Sequence, residues 1–258
     1  MNPDARLRGL RLYAWAVVAF LYAPIALIVL YSFNASRFSA AWGGWTWKWY
    51  ASLFRNDLLL EATRNSLMIA VANAFAATCL GTLAALGAHA LKRRARAAAR
   101  GVFYLPILVP DIVMGLSLLV LFSRLAIPLG KWTVLAAHVT FSLAYVYVLV
   151  AARLEARDPR LEEAAQDLGA DRWRTFRHVT LPLLSPAVVA GALVSFTLSI
   201  DDFMITFFVS GPESTTLPLY VYGLVRRGIS PEVSALSTLL VVLTAVLVAL
   251  AERFRRRP

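Results

Sequence analysis

Six long stretches of this chain are almost free of charge, and basic residues punctuate them. Residues 12–36, 65–91, 132–152 and 233–251 contain no Asp, Glu, Lys or Arg. Residues 101–123 are interrupted only by Asp111, and residues 178–212 only by Asp201 and Asp202. About 20 apolar residues carry a helix across the hydrocarbon core of a bilayer. All six stretches approach or exceed that length. Backbone groups in lipid must pair within their own segment, so helices follow. Barrel strands would instead alternate polar and apolar residues, which these runs do not. The predicted spans are about 12–33, 65–91, 102–123, 132–152, 183–209 and 233–251, in one transmembrane domain covering 1–258.

Composition excludes the main alternatives. The chain is 59% hydrophobic and only 16% charged, with a mean hydropathy of +0.65. A soluble domain of 258 residues would carry about 25% charged residues. A soluble enzyme and a disordered chain are both inconsistent with this surplus of apolar residues. The net charge of +11 reads as loop charge on one membrane face rather than as a nucleic-acid patch. With the N-terminus inside, the inner segments hold Arg6, Arg8, Arg11, Lys92, Arg93, Arg94, Arg96 and Arg100. They also hold Arg153, Arg157, Arg160, Arg172, Arg174, Arg177, Arg253, Arg255, Arg256 and Arg257. Most of the 26 basic residues therefore fall on the inner side, which predicts cytoplasmic termini. The first span is longer than the apolar core of a signal peptide, about 7–15 residues, and is read as retained. A single cysteine, Cys79, excludes an intrachain disulfide. His89, His138 and His178 are scattered, and no metal cluster is expected.

The stretch from Arg153 to Pro182 is the most specific. Asp158-Pro159 begins a short helix, and Glu162 and Glu163 fall in its first turn. Gly169 stops it, and Asp171 caps a second helix that Pro182 and Pro186 are expected to end. Leu161, Ala165 and Leu168 share one side of the first helix; Trp173 and Phe176 share one side of the second. Glu163-Ala164-Ala165, then Gly169, then Val179-x-Leu181-Pro182 matches E-A-A-x3-G-x9-I-x-L-P, with Val179 the only departure. This resembles the EAA loop of ABC importer permeases.

The resemblance extends along the chain. Ser199-Ile200-Asp201-Asp202-Phe203, Phe208 to Pro212, Leu217-Pro218 and Ser230 to Thr238 resemble the spermidine/putrescine permease subfamily. So do Pro110 to Met114, Arg37-Phe38 through Trp49-Tyr50, and Leu53-Phe54. The match is closest to its second permease subunit, the PotC-like type. This implies an all-α membrane protein with six transmembrane helices and the type I ABC importer (MetI-like) fold. It implies a transport subunit rather than an enzyme, importing polyamines, with another small solute such as a phosphonate or amino-acid-like compound as the alternative. Implied partners are a second permease subunit, a dimeric cytoplasmic ABC ATPase and a periplasmic polyamine-binding protein. The implied location is the bacterial inner membrane. No GxxxxGK[ST] occurs, so ATP belongs to the partner ATPase and no cofactor is expected here. The residues expected to couple to that ATPase are Glu163, Ala164, Ala165, Gly169, Trp173, Phe176, Leu181 and Pro182.

Intramembrane carboxylates mark pathways or partners, because each costs roughly 2.5–3.5 kcal/mol at the centre of a span. Asp111, Asp201, Asp202 and Phe203 are therefore candidates for the substrate pathway. Neighbours on a helix differ by about 100°, so Asp201 and Asp202 point differently. One is expected to face the pathway while the other binds an adjacent helix. Tyr104, Tyr145 and Tyr147 are further candidates, since aromatic faces attract ammonium groups. Trp42, Trp45, Trp47, Trp49 and Tyr50 read as an interfacial aromatic belt, a docking surface for the binding protein, or both. Gly81, Gly87 and Gly191 are expected to allow close helix packing. An aspartyl protease would need carboxylates on facing helices, and an adjacent pair is not that. A secondary carrier would show an internal repeat, which is missing.

Overall fold

The computed structural model describes residues 3–36, 41–158, 160–226 and 231–242. The end of the sixth predicted span, Arg37, Phe38, Pro159, Ser230 and the four C-terminal arginines lie outside the described residues. The described residues are almost entirely helical. Contacts divide the chain into two units, one of Met1–Leu60 with Val221–Pro258 and one of Glu61–Tyr220.

The first unit contains α1 (Pro3–Tyr31), α2 (Lys48–Leu53) and α12 (Pro231–Val242). Side chains from Leu10 to Ile28 are all exposed. A helix this apolar with no protein cover matches a lipid environment rather than water. The segment after α1 is a built structure. Asn34 is fully buried, its amide donating to the Ala41 carbonyl at 2.8 Å and accepting from the Gly43 amide at 2.7 Å. Trp49 Nε1 donates to the Asn34 carbonyl at 2.7 Å. Phe33 packs against the rings of Trp45, Trp47 and Tyr50 at 5.7, 4.8 and 5.4 Å. Trp49 is thus a buried anchor, while Trp42, Trp45 and Trp47 stay exposed.

The second unit is organised around α6 (Lys131–Ala156), which packs most extensively on α9 (Leu181–Asp201) and also on α4 (Arg93–Leu108). α3 (Asp57–Ala90) begins in the first unit and runs on into this one. Asn73 of α3 links three helices, donating to Ser142 Oγ at 3.0 Å and to the Ser195 carbonyl at 2.9 Å. Apolar contacts cannot drive association among apolar lipids, so such polar bonds and close backbone packing carry the bundle. Val146 is a point of close packing between helices. A Cβ on Gly81 would meet Val146 Cβ at 2.7 Å, and one on Gly191 would meet Val146 Cγ1 at 3.2 Å. Gly87, expected to act likewise, has nothing within 4 Å and makes no close approach.

Two predicted spans are interrupted. Residues 102–123 form the end of α4 and α5 (Asp111–Arg124), which meet at 102°. Pro110 cannot donate a backbone hydrogen bond and pushes Val109 to an extended conformation, which breaks the helix there. The fifth stretch stops at Asp201 and resumes as α10 (Met204–Val209), with Asp202 and Phe203 between. α11 (Leu217–Arg226) follows. Among the described residues, four helices are long and apolar enough to cross a membrane, or five with the bent α4–α5 pair. The sixth stretch is represented by α12, whose described part is shorter.

Because the Gly81 backbone meets Val146 near its own backbone, Gly81→Ala is expected to destabilise the detergent-solubilised protein by about 1–3 kcal/mol. Gly191→Ala meets only methyl tips and is expected to cost less. Val146→Ala should rescue the second and not the first. Thermal unfolding of the four variants checks this, and equal rescue of both would contradict the packing described.

Candidate functional site

The first candidate site is the segment joining α6 to α9. It contains α7 (Arg160–Asp167), α8 (Arg172–Thr175) and a π-helical turn at Phe176–Thr180. α7 ends in a glycine-dependent cap. Gly169 has φ +86°, its amide donates to the Gln166 carbonyl at 2.9 Å, and the Ala170 amide donates to the Ala165 carbonyl at 3.0 Å. This pairing needs a left-handed residue after the helix, which glycine adopts without Cβ strain. Asp171 Oδ1 accepts from the Arg174 amide at 2.7 Å and starts α8.

Pro182 and Pro186 do not end that second helix. α8, the π turn and α9 form one continuous helical stretch from Arg172 to Asp201. The Leu181 amide donates to the Phe176 carbonyl, five residues back, just before Pro182. The widened turn accommodates a residue that has no amide to donate.

The two adjacent glutamates have different surroundings. Glu162 is half-buried and accepts from Arg157 at the end of α6 and from Thr180 Oγ1 at the start of α9. Burial raises its pKa, but the bonds from Arg157 and Thr180 outweigh this and hold it below the usual carboxylate range. Glu163 is exposed. Ala164 is exposed and Ala165 half-buried. Leu161, Leu168 and Trp173 are exposed, and Trp173 stacks on half-buried Phe176 at 5.8 Å. Leu181 and Pro182 are exposed at the entrance to α9. The loop is held by Glu162 from behind and presents Glu163, Leu168 and Trp173 outward. The role of Glu162 was not evident in the sequence, where both glutamates suit the first helical turn.

The second candidate site is a cavity of about 370 Å³ between the α4–α5 bend, α6 and the α9–α10 break. Asp111, Asp201, Asp202 and Phe203 all line it, together with Tyr145 and Phe141. Asp111 is the first residue of α5, after the proline that breaks the span. Asp111 and Asp201 are exposed, whereas the Asp202 side chain is 8% accessible. Asp202 Oδ2 accepts from the amide and hydroxyl of Thr206, each at 2.8 Å, and from His138 Nε2 at 3.2 Å. The neighbouring aspartates thus differ: Asp201 is open at the cavity, whereas the Asp202 carboxylate is bonded to Thr206 and to His138 of the adjacent helix. Of the candidate tyrosines, Tyr145 lines the cavity. Tyr147 is buried instead, stacked on Phe103 at 4.4 Å, and Tyr104 is exposed outside the cavity lining. His138, read as one of three scattered histidines, is part of this site. Its signal in the sequence is only a ring nitrogen within an uncharged span.

With this geometry in place, the relatives are informative. The family described as "Binding-protein-dependent transport system inner membrane component" matches residues 77–258. The chain belongs to that family. The permease is 46% identical over 241 residues to the "Spermidine/putrescine transport system permease protein PotC" of Escherichia coli K12, covering 93% of this chain and 91% of that protein. It is 45% identical to the "Putrescine transport system permease protein PotI" of the same strain, covering 86% and 81%. Its fold is similar to that of a chain in a bacterial ABC transporter importing the acidic polysaccharide alginate. The TM-score is 0.77 at 18% identity, covering 98% of this chain and 96% of that one. The same transporter in complex with an alginate pentasaccharide-bound periplasmic protein matches with a TM-score of 0.73 at 18% identity, with the same coverage of both chains. The permease therefore has the expected all-helical MetI-like importer fold and is a membrane-transport component, not an enzyme.

Glu162 gives a pH test. Its pKa is lowered in the folded state, so its stabilisation is complete above the ordinary carboxylate value and is lost as pH falls through the lowered one. Glu162→Gln is expected to lower the unfolding temperature of purified permease at pH 7. The gap to wild type should close as pH falls below the carboxylate range, and a gap independent of pH would contradict the clamp.

Proposed function

We propose that this chain is one permease half of an ATP-driven polyamine importer in the bacterial inner membrane, with both termini cytoplasmic. It pairs with a second permease subunit, a dimeric ATPase beneath and a periplasmic polyamine-binding protein above. All six predicted spans, including the one completed beyond Val242, cross the bilayer in this reading. Residues 12–33, 65–91 and 233–251 contribute to a single transmembrane domain with the rest.

The observation that carries the substrate assignment is the cavity in which Asp111 and Asp201 lie open beside Phe203, Tyr145 and Phe141. Two exposed carboxylates and aromatic faces form a lining complementary to ammonium groups. The same lining repels a phosphonate or other anion. The curated relatives named for spermidine and putrescine, at 45–46% identity, agree with this chemistry. Substrate leaves the binding protein, enters the cavity while it is open outward, and is held by contacts that hydrated carboxylates release readily.

The EAA-type segment transmits the energy of ATP hydrolysis from the partner ATPase. Glu163, Ala164, Gly169, Leu168 and Trp173 form the surface that docks on the ATPase, with Ala165 and Phe176 beneath. ATP-driven movement of that surface passes through the unbroken helix from Arg172 to Asp201. Leu181 and Pro182 lie where the docking helix becomes α9. Displacement of α9 moves its last residue, Asp201, which is a cavity carboxylate. One rigid element therefore connects the ATPase surface to the substrate lining.

The reconstituted transporter with its binding protein is expected to hydrolyse ATP faster with spermidine or putrescine than with an amino acid or a phosphonate. Stimulation by a non-polyamine alone would overturn the substrate reading. Glu163→Lys is expected to abolish the response to polyamine while the chain still inserts. Wild-type stimulation in that variant would remove Glu163 from the docking surface.

A further inference from the structure

His138 lies fully buried on α6 and is not used in the transport reading above. Its ring sits against the interruption between α9 and α10. Nδ1 is 2.7 Å from Ser199 Oγ, in the last turn of α9. Nε2 is 3.2 Å from Asp202 Oδ2, in the break, and 3.0 Å from Thr206 Oγ1, in α10. One side chain thus contacts the helix before the break, the break itself and the helix after it. The ring also packs on Phe141, a cavity residue, at 5.5 Å.

The chemistry of the partners fixes the direction of these bonds. The Thr206 hydroxyl proton is used in donating to Asp202 Oδ2 at 2.8 Å. Asp202 as a carboxylate accepts only, so Nε2 carries a proton and donates toward Asp202 and the Thr206 oxygen. Ser199 satisfies the other nitrogen. Each polar atom of the ring has a partner, as a buried imidazole requires.

The break itself needs a cause. Residues 200–209 contain no Gly or Pro, and in a low-dielectric setting an uninterrupted helix would satisfy every backbone group. Ending α9 at Asp201 exposes the first amide donors of α10. The Asp202 carboxylate compensates, accepting from the Ile205 amide at 3.3 Å and the Thr206 amide at 2.8 Å. That capping works only while the carboxylate stays in place, and His138 holds it from a third helix.

We propose that His138 is a positioning residue that staples the α9–α10 break and thereby fixes Asp201 and Phe203 in place at the cavity. Asp202 then acts through this staple and not as a contact for the substrate. Asp201 is the last residue of α9, and His138 holds that end of the helix through Ser199 before it and Asp202 after it. The significance for transport rests on the reading of this cavity as the polyamine pathway; the geometry of the staple does not.

The test uses the assembled transporter with Cys79, the free cysteine on α3, replaced by serine. Asp201→Cys is then labelled with a cationic, membrane-impermeant thiol reagent. His138→Leu is expected to slow labelling about tenfold, and His138→Gln, which keeps a donor, to stay within about threefold of the parent. Asp202→Asn should slow labelling too, and the His138→Leu/Asp202→Asn pair should be no slower than the worse single variant, because both act through one unit. Ser199→Ala, which removes only the Nδ1 partner, should slow it about threefold. If His138→Leu does not assemble, Ser199→Ala and His138→Gln decide. Unchanged labelling in Ser199→Ala and His138→Leu, or effects of His138→Leu and Asp202→Asn that multiply, would overturn the staple. Spermidine-stimulated ATP hydrolysis supplies a second reading. His138→Leu should raise the half-saturating spermidine concentration, and His138→Gln should restore it. Altered labelling, together with no response to spermidine by the transporter that retains Asp201, keeps the staple and rejects the polyamine assignment.

Discussion

A carboxylate within a span of apolar helices must be bonded, paired or wetted, because lipid offers it nothing. Three of the aspartates in this chain lie in such segments, and the second unit is arranged around how each is accommodated. Asp111 follows a proline break and opens to the cavity. Asp201 ends α9 and opens to the same cavity. Asp202 lines the cavity too, but its carboxylate is taken up in hydrogen bonds with Thr206 and His138. Two broken helices are needed for this arrangement. Each break places polar backbone and a carboxylate beside a space that holds water or a charged solute, which is where irregular backbone is tolerated at membrane depth.

The rest of the second unit is closely packed. α6 is packed against α3 and α9 with glycine on both sides of Val146, and Asn73 bonds across all three helices. The segment from α8 through the π turn into α9 is helical without interruption, and it begins beside Trp173 and ends at Asp201. Glu162 ties the neighbouring α7 to the ends of α6 and α9, so the loop behaves as part of the bundle. One continuous helical stretch therefore joins the exposed surface at Trp173 to the cavity carboxylate Asp201.

Much of this was legible in the residues. The uncharged runs marked the helices because charge is what a bilayer excludes. The spacing from Glu163 through Gly169 to Pro182 identified the loop, and Gly169 has the left-handed backbone a stop signal implies. Asp111, Asp201, Asp202 and Phe203 could be picked out one by one, since each is an anomaly or beside one. What could not be read was tertiary. Pro110 carried a signal for its break, but Asp202–Phe203 contains no helix breaker, and its interruption depends on His138 from another helix. The division of labour between Glu162 and Glu163 depends on Thr180 and Arg157, which are neighbours only after folding. Pro182 and Pro186 suggested a helix end, and the π turn before them removed the need for one.

The central claim is that one cavity, lined by Asp111 and Asp201, receives a polycation. Esterification of the assembled transporter by a diazo reagent, which does not couple amines to carboxylates, with each carboxylate quantified by mass spectrometry, tests it directly. Spermidine is expected to protect Asp111 and Asp201 together, while an uncharged diamide of similar length protects neither and Glu163 is unaffected by both. Equal labelling of Asp111 and Asp201 with and without spermidine, in a transporter that still imports it, would contradict the account.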